Sequence, residues 1–373
     1  MRKVLFVATV VKGHIDVFHI PYLKMLKEEG WETTVVARNN YDDPSDCRIP
    51  YCDHYYDVPF ERNPFKFQNK RAYFELKKII KETQFDIIHC HTPVGGVITR
   101  LAGKKAVNSK IIYTAHGFHF FKGAPIKNWL LFYPVEKYLS KFTDIIITMN
   151  VEDYSIAKNK FYSKKIVNIP GIGIDMKRFV KFSEREISEI RNRNNLKEND
   201  FVLISVGELS NRKNQEQLIL VAQNLKDKIP FLKVLIVGTG EYETNLRELV
   251  NEKKLENIVI FLGYRKDVAD LMAISNIVVS TSKQEGLPVN LLEGLASRKP
   301  LVVTDCRGNR DLVEHNKNGF ISPLFDVVTM SDNIIQIFND KKLEKVFGNK
   351  SLEKSKKYSL DSVMEIMKKI YFT

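Results

Sequence analysis

The stretch Ser280–Phe320, STSKQEGLPVNLLEGLASRKPLVVTDCRGNRDLVEHNKNGF, narrows the possible folds more than any other in the chain. A short apolar strand (Asn276 to Val279) runs into a polar loop. Gly286 and Pro288 then introduce a helix with the interior VNLLEGLA, and a second apolar strand follows at Pro300–Val303. Strand, helix and strand at this spacing make a parallel α/β unit. Proline suits a first helical turn, and glycine lets a backbone come close to a ligand. The N–H groups of Leu287, Val289 and Asn290 therefore point out of a helix N-terminus, which is an anion site. Glu285 stands just before that terminus and Glu293 two turns in, on the same side. Carboxylates beside an anion site suit a ligand that also carries hydroxyls, because carboxylates only accept hydrogen bonds. A sugar nucleotide carries both, a diphosphate for the amides and ribose and sugar hydroxyls for the acids.

The two acids with seven residues between them in EGLPVNLLEG resemble the signature of family 4 retaining glycosyltransferases of the GT-B fold. A lone Glu-x7-Glu occurs by chance in many helices. The Gly-Leu-Pro and the two flanking strands are what make this one specific. The segments GHIDVFHIPYLK, TPVGG, YTAHGFHF and GAPIKNWLLFYPVEKYL resemble bacterial capsular and exopolysaccharide transferases. The resemblance implies an α/β GT-B protein of two Rossmann-like domains facing a cleft, with a C-terminal helix crossing back to the first. It implies an acceptor-binding domain over 1–175, a nucleotide-sugar-binding domain over 176–356 and the returning helix over 357–373.

The pattern along the chain is compatible with that division. At 373 residues the chain is long enough for two cores. Strands are expected at Lys3–Val10, Thr33–Ala37, Asp86–Cys90, Lys110–Thr114, Asp144–Thr148 and Lys165–Ile169. Helices are expected at Asp16–Glu29, Phe67–Glu82, Gly96–Ala106, Lys127–Ser140 and Val151–Lys160. After the turn-rich IPGIGIDMKRF (Ile169–Phe179) the alternation resumes, with strands at Phe201–Val206, Leu232–Val237, Ile258–Phe261, Ile277–Ser280 and Pro300–Val303. A last helix, capped by Ser359, runs from Leu360 to Ile370. MRKVLFVATVVKGH has the basic head and apolar run of a signal peptide, but Lys12 and His14 interrupt it and no small-residue cleavage site follows. It reads as a first buried strand. No apolar run reaches the roughly 18 residues that span a bilayer. Four cysteines (Cys47, Cys52, Cys90, Cys306) without paired spacing fit a reducing cytoplasm.

Formal charge is +13, which calls for an anionic partner. Basic residues are spread along the chain and no common nucleic-acid motif is present, so a membrane surface or a diphosphate substrate fits better than nucleic acid. Asn63–Lys81 and Phe118–Tyr138 interleave aromatics with lysine and arginine, a composition suited to an interfacial helix on anionic lipid. Aromatics in the core and solvated lysines explain each stretch equally well.

Further site residues lie in loops after strands, where open α/β sheets bind ligands. Gly13 follows the first strand; it resembles the family glycine that approaches the transferred sugar, and a plain strand-to-helix turn explains it equally. His89, Cys90 and His91, with His116 and His119, invite a metal reading. Cys90 points away from its neighbours, however, no second cluster of recognisable spacing completes a site, and Asp-x-Asp is absent. The expectation is no metal and no cofactor. His116, in TAHGF, resembles the family histidine that reaches the donor sugar across the cleft; the other histidines read as structural or solvated. In VGELSNRK, Lys213 matches the lysine that holds the donor diphosphate. Glu208 stands where the family usually has arginine, and Arg212 could restore that charge. Cations at a helix start oppose its dipole, which favours a ligand reason for them. Gly240, Tyr264 and Arg265 border the nucleotide by resemblance, and Asp305–Asn309 lies on the same edge.

The resemblance thus implies a retaining transfer from a nucleotide sugar, UDP by family frequency, to a lipid-pyrophosphate-linked saccharide. His116, Glu285 and Lys213 would be catalytic, and the enzyme would work in the cytoplasm at the inner face of the membrane. A GT-B sugar-nucleotide epimerase and a non-catalytic sugar-nucleotide-binding protein are the alternatives. The first would need no acceptor, and the second would have no use for His116.

Overall fold

The computed structural model describes residues 1–106, 108–179 and 182–372. It forms two compact units. The first comprises Met1–Ile172 with the chain from Val363 on, and the second Gly173–Ser362. The sequence reading put these boundaries at 175 and 356.

The first unit holds seven parallel strands, β1 (Lys3–Val10), β2 (Glu32–Arg38), β3 (His54–Asp57), β4 (Ile87–His91), β5 (Lys110–Ala115), β6 (Ile145–Thr148) and β7 (Lys165–Asn168), in the order β3-β2-β1-β4-β5-β6-β7. The strand β1, KVLFVATV, is buried from Val4 to Val10. Helices cover both faces of such a sheet, so its strands are continuous apolar runs and do not alternate. β3 was not expected. HYYD is short and mostly exposed, without the apolar run that marks the inner strands. The helix expected at Asp16–Glu29 is interrupted. A wide turn over Val11–Ile15, with Gly13 at φ +83°, leads into Asp16–Phe18, and Ile20–Glu28 restarts after His19 with Pro21 in its first turn.

The second unit carries six parallel strands, β8 (Phe201–Val206), β9 (Leu232–Val237), β10 (Val259–Gly263), β11 (Ile277–Ser280), β12 (Leu301–Thr304) and β13 (Gly319–Ser322), ordered β10-β9-β8-β11-β12-β13. β13 was also unexpected: GFIS is four residues long and follows directly on a turn. Ser183 and Glu186 close a reciprocal capping box on the helix Glu184–Arg193. The helix Val289–Ala296 spans VNLLEGLA, with Pro288 as its cap.

In each sheet the strand order reverses once, between β1 and β4 and between β8 and β11. At such a switch point the loops leaving the carboxyl ends diverge and open a crevice. The last helix, Leu360–Phe372, begins in the second unit and joins the first from Val363 on. There Tyr371 packs against Phe6 and its hydroxyl lies 2.7 Å from His89 Nδ1. No helix among the described residues is long and apolar enough to cross a membrane.

Candidate functional site

At the switch point of the second unit the loop after β8 meets the loop after β11. Three hydrogen bonds join them: Lys283 N to the Arg212 carbonyl (2.9 Å), Asn214 Nδ2 to the Thr281 carbonyl (3.2 Å) and Thr281 Oγ1 to the Lys213 carbonyl (3.1 Å). Lys213 can lie back over the sheet because Gly207 has no side chain. A Cβ there would stand 3.0 Å from Lys213 Cε, and φ at Gly207 is +152°. These contacts bring residues about 70 positions apart into one cluster.

Glu285 is the centre of that cluster. Its side chain is 8 % exposed; Lys213 Nζ lies 2.7 Å from one carboxylate oxygen and Arg212 Nη1 3.1 Å from the other. Burial pushes the carboxyl pKa up, but the two cations outweigh it and hold Glu285 below the ordinary range. Each carboxylate oxygen is thus engaged by one cation, and Oε1 is buried against Lys213. From beneath, buried Arg307 donates from Nε to the Glu285 carbonyl at 2.9 Å. Gly308, at φ +81°, passes so close that a Cβ would meet the Gly286 carbonyl oxygen at 2.5 Å. Sequence reasoning noted the DCRGN loop only as an edge; the role of Arg307 under Glu285 was missed. An arginine beside a glycine in a post-strand loop was the available signal.

Glu208 takes the arginine's place in the family pattern. It is exposed and stands 3.9 Å from Arg212, too loose for more than weak attraction. Glu293, half-buried about one turn into the helix, has its pKa raised to about 7, mainly by burial and against an opposing pull from Arg178. Near neutral pH it is poised between acid and carboxylate. Asn290 ties the helix start to β8 through Nδ2 and the Val206 carbonyl (2.8 Å). Leu287, Val289 and Asn290 sit at that terminus as expected from the Gly-Leu-Pro sequence.

The nucleotide-edge residues divide. Tyr264 is largely exposed and available for stacking. Arg265 instead forms a two-pronged pair with Asp267 and reaches Asn194, so its guanidinium is committed to its own loop. Gly240 allows a close approach, but to the Leu209 backbone, where a Cβ would meet the carbonyl oxygen at 2.2 Å.

The first unit contains a cavity of about 720 Å³ lined by Thr9, Gly13, His14, Phe65, Leu131 and Glu136 among others. At its wall, fully buried Arg100 is held by Glu136 through bonds of 2.8 and 3.1 Å and lies 3.9 Å over the Tyr113 ring. Beside the cavity, His14, His19, His91 and His116 converge, one ring nitrogen of each lying within 4.8 Å of those of the others. The sequence reading had His116 reaching a ligand and the others structural or solvated. Positions 14, 19, 91 and 116 show no local metal spacing, and only the folding of β1, β4 and β5 side by side gathers them. Burial lowers the pKa of all four, that of His116 to about 4, so the cluster is neutral at physiological pH. Six of their ring nitrogens are buried without a hydrogen-bond partner. An unmatched buried polar group costs about 1 to 3 kcal/mol. His119 lies apart, its ring 4.7 Å from Phe132.

Similarity to known proteins follows the two units. Residues 3–150 match the family described as glycosyl transferase 4-like, and residues 186–354 match glycosyl transferases group 1. EpsD of Bacillus subtilis (strain 168), which bears a glycosyltransferase name, is 40% identical over 373 residues, covering 99% of this chain and 96% of that protein. An Escherichia coli enzyme named UDP-Gal:alpha-D-GlcNAc-diphosphoundecaprenol alpha-1,3-galactosyltransferase is 27% identical over 76% of this chain and 74% of its own. Anabaena Alr3699/HepE, solved in complex with UDP and glucose, superposes with a TM-score of 0.82 at 21% identity over 100% of both chains, a likeness of fold. The chain therefore belongs to the GT-B glycosyltransferases, 4-like in its first half and group 1 in its second.

Proposed function

We propose that this glycosyltransferase moves a sugar, with retention of anomeric configuration, from a UDP-sugar to a lipid-diphosphate-linked saccharide during capsular or exopolysaccharide assembly. The observation that carries the donor half is the clamp of Lys213 and Arg212 on buried Glu285 beside a helix N-terminus. A diphosphate entering there finds two cations and outward-facing amides already in place, the preorganised arrangement that stabilises charge developing on a leaving group. Glu285 holds Lys213 and Arg212 in position, and Glu293 accepts from ribose. Charge neutralisation is assigned to the protein's own groups, so magnesium and manganese leave UDP binding unchanged. The departing phosphate takes the acceptor proton.

The acceptor half is supported by the E. coli relative, whose name specifies a diphosphoundecaprenol-linked acceptor. The B. subtilis relative's name supports the polysaccharide setting. In the first unit, Phe65 (82 % exposed), Leu131 and Val135 both line the cavity and belong to an exposed apolar surface. Ile126 and Leu130 extend that surface along one helix. Exposed Lys66, Lys70, Arg71, Lys77 and Lys78 stand near Phe65, Phe67 and Phe74 in the chain. Such a surface suits the inner face of an anionic membrane.

The test is incubation of the purified protein with polyprenyl-diphosphate-linked GlcNAc and UDP-glucose, UDP-galactose or UDP-GlcNAc in turn. One donor should give a lipid-linked disaccharide with an α linkage by NMR. A changed nucleotide sugar without disaccharide would indicate the epimerase, and UDP binding with no product from any donor would contradict the transfer reading.

A further inference from the structure

The four-histidine cluster of the first unit is not absorbed by sugar transfer. His14 comes from the wide turn after β1, His19 from the join between the two helices that follow, His91 from the end of β4 and His116 from the loop after β5. The ring centroids of His14–His19 and His14–His116 are 5.0 Å apart, those of His91–His116 5.8 Å, of His14–His91 6.0 Å and of His19–His116 6.2 Å. His19 and His91 are closer, at 3.8 Å. Imidazoles binding a tetrahedral ion at about 2.0–2.1 Å have centroids roughly 5 Å apart. Five of the six spacings lie at or up to about 1 Å above that value, and His19 and His91, 3.8 Å apart and tilted by 34°, part slightly to reach one ion.

We propose that His14, His19, His91 and His116 together hold one divalent transition-metal ion, zinc in the first place. The ligand set is all nitrogen, which suits zinc, copper and nickel and not the oxygen-seeking magnesium or calcium. His19 and His91 are buried, with both ring nitrogens unmatched; His14 and His116 are half-buried, each with Nε2 unmatched, and leave a path for entry. Phe6 forms an apolar floor, its ring 5.9 Å from His91 and nearly parallel to it, and 6.0 Å from His19. An ion there fastens the loops at the carboxyl ends of β1, β4 and β5 beside the cavity. His116 then acts as a ligand that positions its loop, in place of the direct reach to the donor sugar that the family resemblance suggests.

The inference does not depend on the transferase reading, and its test uses no sugar nucleotide. The full chain without a histidine tag is purified, its zinc counted by mass spectrometry, and the ion removed with 1,10-phenanthroline and replaced by cobalt(II). One zinc per chain is expected, and the cobalt form should show the intense visible absorption of tetrahedral coordination. His14→Gln and His116→Gln, at half-buried positions that tolerate the change, should each weaken cobalt binding by about a hundredfold or more. His91→Gln should abolish it, and a circular-dichroism spectrum shows whether that variant is folded. His54→Gln and His315→Gln should bind as the parent does. A chain that takes up no stoichiometric zinc or cobalt would overturn the proposal. So would cobalt absorption unchanged in both His14→Gln and His116→Gln.

Discussion

Two carboxylates eight positions apart differ in ionisation, and the difference comes from their neighbours. Glu285 is ionised and clamped by Lys213 and Arg212, while Glu293 has a pKa raised to about 7 by burial. Under the proposed ribose contact the hydroxyl donates to the ionised form, so UDP affinity should rise as pH passes upward through that value. If only the carboxylate binds, the gain between pH 6 and pH 8 is about tenfold. Glu293→Gln should lose that rise and keep only the part due to ionisation of UDP itself; calorimetry at both pH values distinguishes them. Lys213 is the less exposed cation and makes the shorter contact, so Lys213→Ala should lower turnover more than Arg212→Ala in a UDP-release assay. Equal losses would contradict the ranking. The Glu-x7-Glu pair and its Gly-Leu-Pro were legible in the sequence. That Glu285 is held by cations 72 and 73 positions away was not, because nothing local to either loop encodes the adjacency of β8 and β11.

At the scale of elements, the inner strands were legible to within a residue or two, as continuous apolar runs announce them. The edge strands β3 and β13 were not, since four-residue segments such as HYYD and GFIS carry too little pattern. The two aromatic-and-basic stretches needed the structure to sort them. Phe120 and Phe121 are buried, and Trp129, Phe132 and Tyr133 pack partly against the core, so they leave the interfacial set. Phe65, Phe67 and Phe74 stay exposed on the helix Gln68–Thr83 or just before it, while Ala72, Leu76 and Ile80 face inward. The membrane proposal therefore rests on the exposed group. Vesicles with anionic lipid should sediment the protein at low salt, less at high salt, and less again when Lys70, Arg71, Lys77 and Lys78 become Glu. Equal sedimentation with neutral vesicles would refute electrostatic docking. The helix Ile126–Leu139 also carries Glu136, the partner of buried Arg100. Removing one member of such a pair strands the other, so Glu136→Ala should cost about 3 to 5 kcal/mol in a urea melt. A loss under about 1 kcal/mol would mean that water reaches Arg100.

For the whole molecule, both units repeat one design: a parallel sheet whose strand order reverses once, with the chemically equipped loops at that reversal. The alternation of strand and helix made the two sheets legible, and the turn-rich segment Ile169–Phe179 brackets the observed division after Ile172. The histidine cluster stayed hidden for the same reason as the Glu285 clamp, its members meeting only once strands distant in sequence lie side by side. The central claim is that the second unit's switch point is a nucleoside-diphosphate site built around two acids with separate tasks. Isothermal titration of UDP into the wild type, Glu293→Ala and Glu285→Ala tests it most directly. Glu293→Ala should bind UDP more weakly by about 1.5 to 3 kcal/mol, the usual worth of a charge-assisted hydrogen bond. Glu285→Ala, by releasing Lys213 and Arg212 to the diphosphate, should bind it no less tightly than the wild type. Equal affinity in the wild type and Glu293→Ala, or a tenfold loss in Glu285→Ala, would contradict the account.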